Sequence, residues 1–366
     1  MATALKYMYN PTFFEGLCPV LKECIPGFDC RDFILRTFNN AWPDLELKER
    51  IRHITRVLHH FLSKDFSIAA HQLIDIAHAL KKKHSRDQGF ENIFLADYIE
   101  VFGLDHPQES IDAIKEITKL VSAEYAIRPF IVRYPEETMK YLYSWSKSTD
   151  PNVRRLSSEG SRPRLPWAIG LPDFKKDPSP VLPILENLKE DPSEYVRKSV
   201  ANHLNDIAKD HPDLVMDLVK KWHGRHPHTD WIIRHGCRSL LKNGHTQALT
   251  LHGFDPDSQA KIRELLLPSQ VKIGEYLDFK FAFVSKEKKP TNFRLEYAID
   301  YLTSTGKTSR KIFKISENLF PPGKAVTIQR KQSFRNFTTR KHFRGKHYLS
   351  IMANGKKLAA TEFIVC

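Results

Sequence analysis

The chain has 366 residues, 41% of them apolar, which is more than one hydrophobic core holds comfortably and enough to fill two. Its formal charge of +14 is unevenly spread: residues 269–366 hold 20 Lys and Arg against 7 Asp and Glu, while the first 268 residues hold 37 against 36. A basic tail on a near-neutral body points to a polyanion, with nucleic acid favoured over a basic domain that is merely well solvated.

The N-terminus, Met1 to Tyr7, has no apolar core of a signal peptide, and no later run is long enough to span a bilayer. A soluble, cytoplasmic monomer with no membrane partner is therefore expected. Cys18, Cys24, Cys30, Cys237 and Cys366 form neither CxxC pairs nor an even disulfide framework, so all five are expected to be reduced and no structural zinc is expected.

From about Phe13 to Leu267 the apolar residues recur with helical spacing. Ile51, Ile54, Thr55, Leu58 and Leu62 form one stripe, and Leu73, Ile76, Ala77 and Leu80 form another. Turns marked by Pro, Gly or Asp-Pro cut the region into helices of ordinary length, and the reading is all-α.

An internal repeat runs through this region. Asp150-Pro151-Asn152-Val153-Arg154-Arg155 matches Asp191-Pro192-Ser193-Glu194-Tyr195-Val196-Arg197-Lys198, with a weaker copy at Asp230-Trp231-Ile232-Ile233-Arg234-His235. Val153, Val196 and Ile233 are spaced by roughly 40 residues, the period of HEAT-like helical pairs. Asp is read as a helix N-cap, Pro fits the first helical position, and the apolar residue faces the core. An α-solenoid with a concave face follows.

The repeats place Arg155, Lys198 and His235 at one equivalent position, and Glu159, Asn202 and Ser239 one helical turn later. This polar stripe, with Arg197 and Arg234 beside it, is a candidate DNA-binding surface. Its plainer reading is a row of solvated ion pairs. The first copy ends in Gly160-Ser161-Arg162-Pro163-Arg164-Leu165-Pro166-Trp167, a constrained, Arg-rich turn that is costly for a mere connector. Taken alone, Trp167 reads as a core anchor under this turn.

After Pro268 the pattern changes to alternating or β-rich runs, separated by turns such as Thr305-Gly306 and Asn354-Gly355. About seven strands in about 100 residues suggest an immunoglobulin-like β-sandwich without the antibody disulfide. The expected junction lies near Leu267 to Gln270, dividing a helical domain, 1–268, from a basic β-domain, 269–366. Arg335, Arg340, Lys341, Arg344 and Lys346 crowd a stretch between two predicted strands and are expected to clamp DNA electrostatically.

Two segments carry a family resemblance. Val153 to Trp167, and Ser122-Ala123-Glu124-Tyr125-Ala126-Ile127-Arg128-Pro129-Phe130 upstream, resemble the signature of AlkC-type DNA alkylation-repair glycosylases; the likeness spans essentially the whole chain, basic tail included. It implies hydrolysis of the N-glycosidic bond of N3-methyladenine and N3-methylcytosine in double-stranded alkylated DNA, without flipping the base into a pocket. It implies catalytic roles for Glu124 and Glu159 at the lesion sugar, and for Trp167 against the adjoining backbone. Arg155, Arg162 and Arg164 are implied to hold phosphates.

This residue set suits the chemistry. An N3-methylated base is already cationic and leaves without prior protonation, so positive charge builds on the sugar. A carboxylate near C1′ stabilises that charge and orients water, which requires neither metal nor cofactor. The competing non-enzymatic reading is a HEAT-repeat scaffold that binds DNA or protein. A metal-dependent nuclease would need carboxylates at metal-ligand spacing, which the sequence lacks.

Overall fold

The structure, a computed structural model, describes residues 4–83, 89–337 and 340–366. Among these residues there are sixteen α-helices, all before residue 252, followed by eight β-strands. The chain divides into two compact units. One runs to Asp210 and includes Trp222–Gly236; the other comprises His211–Lys221 and Cys237–Cys366. None of the described helices is long and apolar enough to cross a membrane.

The first unit is a stack of helical pairs. The helices Pro151–Gly160, Glu194–Ile207 and Pro227–Gly236, which carry the three repeat copies, pack side by side in that order. Val153, Val196 and Ile233 are buried at equivalent points, so each repeat closes its apolar face only against its neighbour. The N-cap expectation holds for one copy. Asp150 accepts hydrogen bonds from the backbone N–H groups of Asn152 and Val153, at 2.8 and 3.4 Å. In the second copy the cap position falls on Ser193, and Asp191 instead accepts from Ser193 N and pairs with Arg154. In the third, Asp230 lies inside the first turn and accepts from Gly224 N at 2.8 Å, because that helix starts earlier, at Pro227.

One expectation about the cysteines is overturned. Cys18 and Cys30 form a disulfide between the helices Pro11–Cys24 and Cys30–Thr37, with Cα atoms 5.7 Å apart. A spacing of 12 across a helical turn carries no motif, so only the packing of the two helices brings the sulfurs together.

The second unit contains a β-sandwich. Its strands are β1 (Ala260–Leu266), β2 (Gln270–Val271), β3 (Tyr276–Ser285), β4 (Thr291–Leu302), β5 (Thr308–Phe320), β6 (Ala325–Ser333), β7 (Gly345–Ala353) and β8 (Lys356–Val365). They form a three-stranded sheet, β1-β3-β6, and a five-stranded sheet, β2-β8-β7-β4-β5. Alternate residues fill the space between the sheets: Leu277, Phe279, Phe281 and Phe283 from β3 against Phe293, Leu295, Tyr297 and Ile299 from β4. Asn354 and Gly355 take positive φ, 45° and 78°, as the tight turn joining β7 to β8 demands.

Strand β1 corrects the helical reading of residues 260–266. Ala-Lys-Ile-Arg-Glu-Leu-Leu contains good helix formers, yet it pairs antiparallel with β3, and the ladder outweighs local propensity. Sheet structure thus begins ahead of the junction expected near Leu267 to Gln270.

Candidate active site

The site is built on the helix Pro151–Gly160, which presents Arg155 and Glu159 on one face, one turn apart. Glu124 comes from the turn before the helix Ile127–Arg133 and meets Arg155, whose Nη1 donates to Glu124 Oε2 at 3.2 Å and also to Ser122 Oγ. On its other side Arg155 Nη2 lies 3.8 Å from Glu159 Oε1. Arg162, from the following turn, donates to the same Oε1 at 2.6 Å. Its Nε and Nη2 reach Asp206 Oδ2 on the helix Glu194–Ile207, at 2.9 and 2.8 Å. The result is a row of alternating charge: Glu124, Arg155, Glu159, Arg162, Asp206.

Glu159 is only 6% exposed and Asp206 is buried, so these charges are compensated by one another more than by water. Burial works against the charge of Arg155, but Glu124, and then Tyr195 and Glu159, hold its pKa above the ordinary arginine value. Both guanidinium contacts to Glu159 fall on Oε1, leaving Oε2 without a protein partner among the described residues. Tyr125 and Tyr195 flank the row. Burial raises both phenols above their ordinary pKa, and the guanidinium of Arg155 lies 4.4 Å over the Tyr195 ring.

Behind this row the protein is tightly closed. His203 is fully buried beside the Ser199–Ser158 hydroxyl pair (3.0 Å), and burial, then the charge of Arg162, lower its pKa to about 3. Gly160 ends the helix against Ile127: a Cβ there would come within 2.5 Å of Ile127 Cγ2.

Trp167 is not the core anchor that its bulk suggested. It is 61% exposed and held at φ 67°, a left-handed conformation rare for any non-glycine residue, with Lys48 Nζ donating to its carbonyl. A cavity of about 640 Å³, lined in part by Ala41, Ile51, Arg52, Asp97, Tyr125 and Trp167, opens beside it.

The arginines expected at phosphates sit against carboxylates. Arg155 and Arg162 belong to the charge row, and Arg164 forms a two-pronged pair with Asp210. Elsewhere on the stripe, Arg197 donates to the carbonyls of Asp191 and Pro192, and Lys198 pairs with Glu194 while remaining well exposed. Asn202 is half-buried, whereas Arg234 and His235 are exposed and His235 packs on Trp231. In the second unit Arg335, Lys341, Arg344 and Lys346 are exposed, and Arg340 lies over the Tyr301 ring. Lys346 falls within β7 and not before it, paired with Glu362 at 3.0 Å. Asp206 and Arg128 were not anticipated. The one sequence hint to Asp206 is its position a helical turn beyond Asn202.

A helical-repeat body with two arginine-framed glutamates, one of them buried, followed by a β-sandwich, defines a class of DNA-repair proteins, and comparison bears this out. Residues 109–240 match the model of the DNA alkylation repair enzyme family, and residues 261–366 match that of the C-terminal Ig-like domain of the uncharacterised protein YhaZ. The uncharacterized protein YhaZ of Bacillus subtilis is 42% identical over 363 residues, covering 99% of both chains. The alkylpurine DNA glycosylase AlkC of Pseudomonas fluorescens, solved bound to DNA containing an abasic site analog, is 37% identical and superposes over 100% of both chains with a TM-score of 0.91. The chain belongs to the AlkC family of DNA alkylation-repair glycosylases, in the form that carries a C-terminal immunoglobulin-like domain.

Proposed function

We propose that this glycosylase releases N3-methyladenine and N3-methylcytosine from alkylated double-stranded DNA, and that the lesion is not flipped into a pocket. The observation that carries the reading is the pairing of Glu124 and Glu159 across Arg155, next to an exposed Trp167. Glu159 Oε2 is the atom offered to the developing sugar cation. Arg155 and Arg162 hold the other oxygen and keep the carboxylate aimed. Glu124 orients or deprotonates the water that attacks C1′, and the cationic base leaves with the electrons of the glycosidic bond.

With their guanidinium groups set on the glutamates, Arg155 and Arg162 meet a phosphodiester as part of a nearly neutral row. This limits the repulsion that two bare carboxylates would impose on DNA. The exposed indole of Trp167 supplies an apolar face for the sugar-phosphate backbone.

The test is release of bases from methylated duplex DNA by the purified protein with chelator present. N3-methyladenine and N3-methylcytosine are expected among the products, and their absence would overturn the assignment.

A further inference from the structure

We propose that Arg128 is a positioning residue that holds the Ser161–Ala168 turn, and with it Arg162 and Trp167, in the geometry that excision requires. The inference rests on the site reading above and extends it to a group that touches neither DNA nor the glutamates.

Arg128 belongs to the helix Ile127–Arg133 and is fully buried. Its guanidinium donates to three backbone carbonyls: Nε to Ile169 O at 2.7 Å, and Nη1 to Gly160 O at 2.9 Å and to Arg162 O at 2.8 Å. These carbonyls bracket the turn. Gly160 O ends the helix that carries Glu159, Arg162 O is the carbonyl of the residue whose side chain binds Glu159, and Ile169 O closes the segment two residues beyond Trp167. Within the bracket the backbone makes few bonds of its own, chiefly Ala168 N to Leu165 O and Leu171 N to Pro163 O. One rigid fork therefore fixes both ends of a turn whose middle carries an exposed indole at positive φ.

The choice of arginine is costly. Arg154, Arg155, Arg162 and Arg164 are each paired with a carboxylate, whereas the three partners of Arg128 are neutral and its Nη2 is enclosed without a partner. Burial, and then the neighbouring charge of Arg162, lower its pKa to about 10. A residue needed only to fill the core would be apolar. A fork that spans three carbonyls is needed to hold a turn in place.

The experiment compares Arg128→Lys and Arg128→Ala with the intact protein. Lysine keeps the charge but not the planar fork. Single-turnover excision is expected to fall roughly 10- to 100-fold in Arg128→Lys, as for a site displaced by a fraction of its reach. Iodide quenching of Trp167, taken as the difference from a matched Trp167→Phe background, is expected to change with it. In Arg128→Ala, methylguanidinium at non-denaturing concentration should restore part of the lost rate. If Arg128→Ala does not fold, Arg128→Lys decides alone. Wild-type excision by Arg128→Lys overturns the proposal, as does slow excision with unaltered Trp167 quenching. If Glu159→Gln excises normally while Arg128→Lys still shifts the Trp167 signal, the site reading fails and the positioning of the turn stands.

Discussion

The carboxylate of Glu159 and the guanidinium of Arg162 meet at 2.6 Å across the end of a helix, and Arg162 is itself anchored from behind by Asp206. Glu159 is thus held by a charge that is held in turn, in surroundings too dry for either partner to relax cheaply. Replacing Glu159 by Gln keeps shape and an acceptor oxygen but removes the negative charge. Excision of N3-methyladenine should fall by at least ~100-fold, the scale of one lost preorganised contact. Binding to duplex should hold or tighten slightly, because the lost charge faced a polyanion. Unfolding should show a loss of about 1–3 kcal/mol, since the buried Arg162 and the half-buried Arg155 lose an ionic partner. Near-normal excision by the folded variant would remove Glu159 from the chemistry.

Asp206 should act through Arg162. In Asp206→Asn the excision rate is expected to drop by roughly 10-fold as Arg162 loosens. Arg162→Ala should be worse, costing about 3 kcal/mol of stability, because Glu159 then keeps only Arg155, at 3.8 Å, and Asp206 only Lys209, at 3.0 Å. Both losses should be equal across DNA sequence contexts. A context-dependent loss would make Arg162 a base reader.

The exposed Arg335, Lys341 and Arg344 remain the expected electrostatic clamp. Deleting residues 269–366 would strand β1 without its partner β3, so substitution is the cleaner route. Changing the three to Gln should weaken DNA binding and reduce the slope of log affinity against log salt by about one per lost phosphate contact. An unchanged slope would assign these charges to solubility alone.

If the lesion stays in the helix, the cavity beside Trp167 is not its receptacle. Ala41 is exposed at the rim of that cavity, so Ala41→Trp should narrow it without overfilling the core. Excision is expected to stay within about twofold of wild type. A loss of about 100-fold with intact DNA affinity would indicate that the base must enter.

His203 gives the unit a pH signature. Its folded pKa of about 3 lies below the ordinary 6.5, so the unfolded chain takes up a proton that the folded chain refuses. The stability this contributes is full above pH 6.5 and is lost as pH falls from there toward 3, at up to about 1.4 kcal/mol per pH unit. Urea unfolding of His203→Leu should show a slope shallower by one proton between pH 4.5 and 6. Identical slopes would mean that His203 is protonated in the fold.

What could be read from the sequence follows the range of the interactions. The roughly 40-residue spacing of Val153, Val196 and Ile233 is a local pattern repeated, and it specified the stack. The alternation of Leu277, Phe279, Phe281 and Phe283 specified a sandwich strand for the same reason. Glu124 and Glu159 were legible through motif resemblance. The Arg155–Glu159 pair was legible as an i,i+4 spacing; the bonds of Arg155 to Glu124 and of Arg162 to Glu159 were not, because an arginine near a DNA site is equally suited to a phosphate or to a carboxylate, and only packing chooses. Asp206 lies 44 residues from the Arg162 side chain it binds, and Cys18 meets Cys30 only once two helices are docked. The exposure of Trp167 depends on a backbone φ that composition does not reveal.

Gly160 ties the two glutamates to one dimension. It stands next to Glu159 and touches Ile127, three residues after Glu124, with no room for even a methyl group between them. The gap between the carboxylates is therefore bounded by the packing of the Gly160 backbone on the Ile127 side chain, and a larger residue at 160 would have to push that side chain, and the turn that carries Glu124, away. If the two acids work on the sugar as proposed, this packing acts as a gauge: a nucleotide would have to bring C1′ to the depth of both carboxylates to be cut.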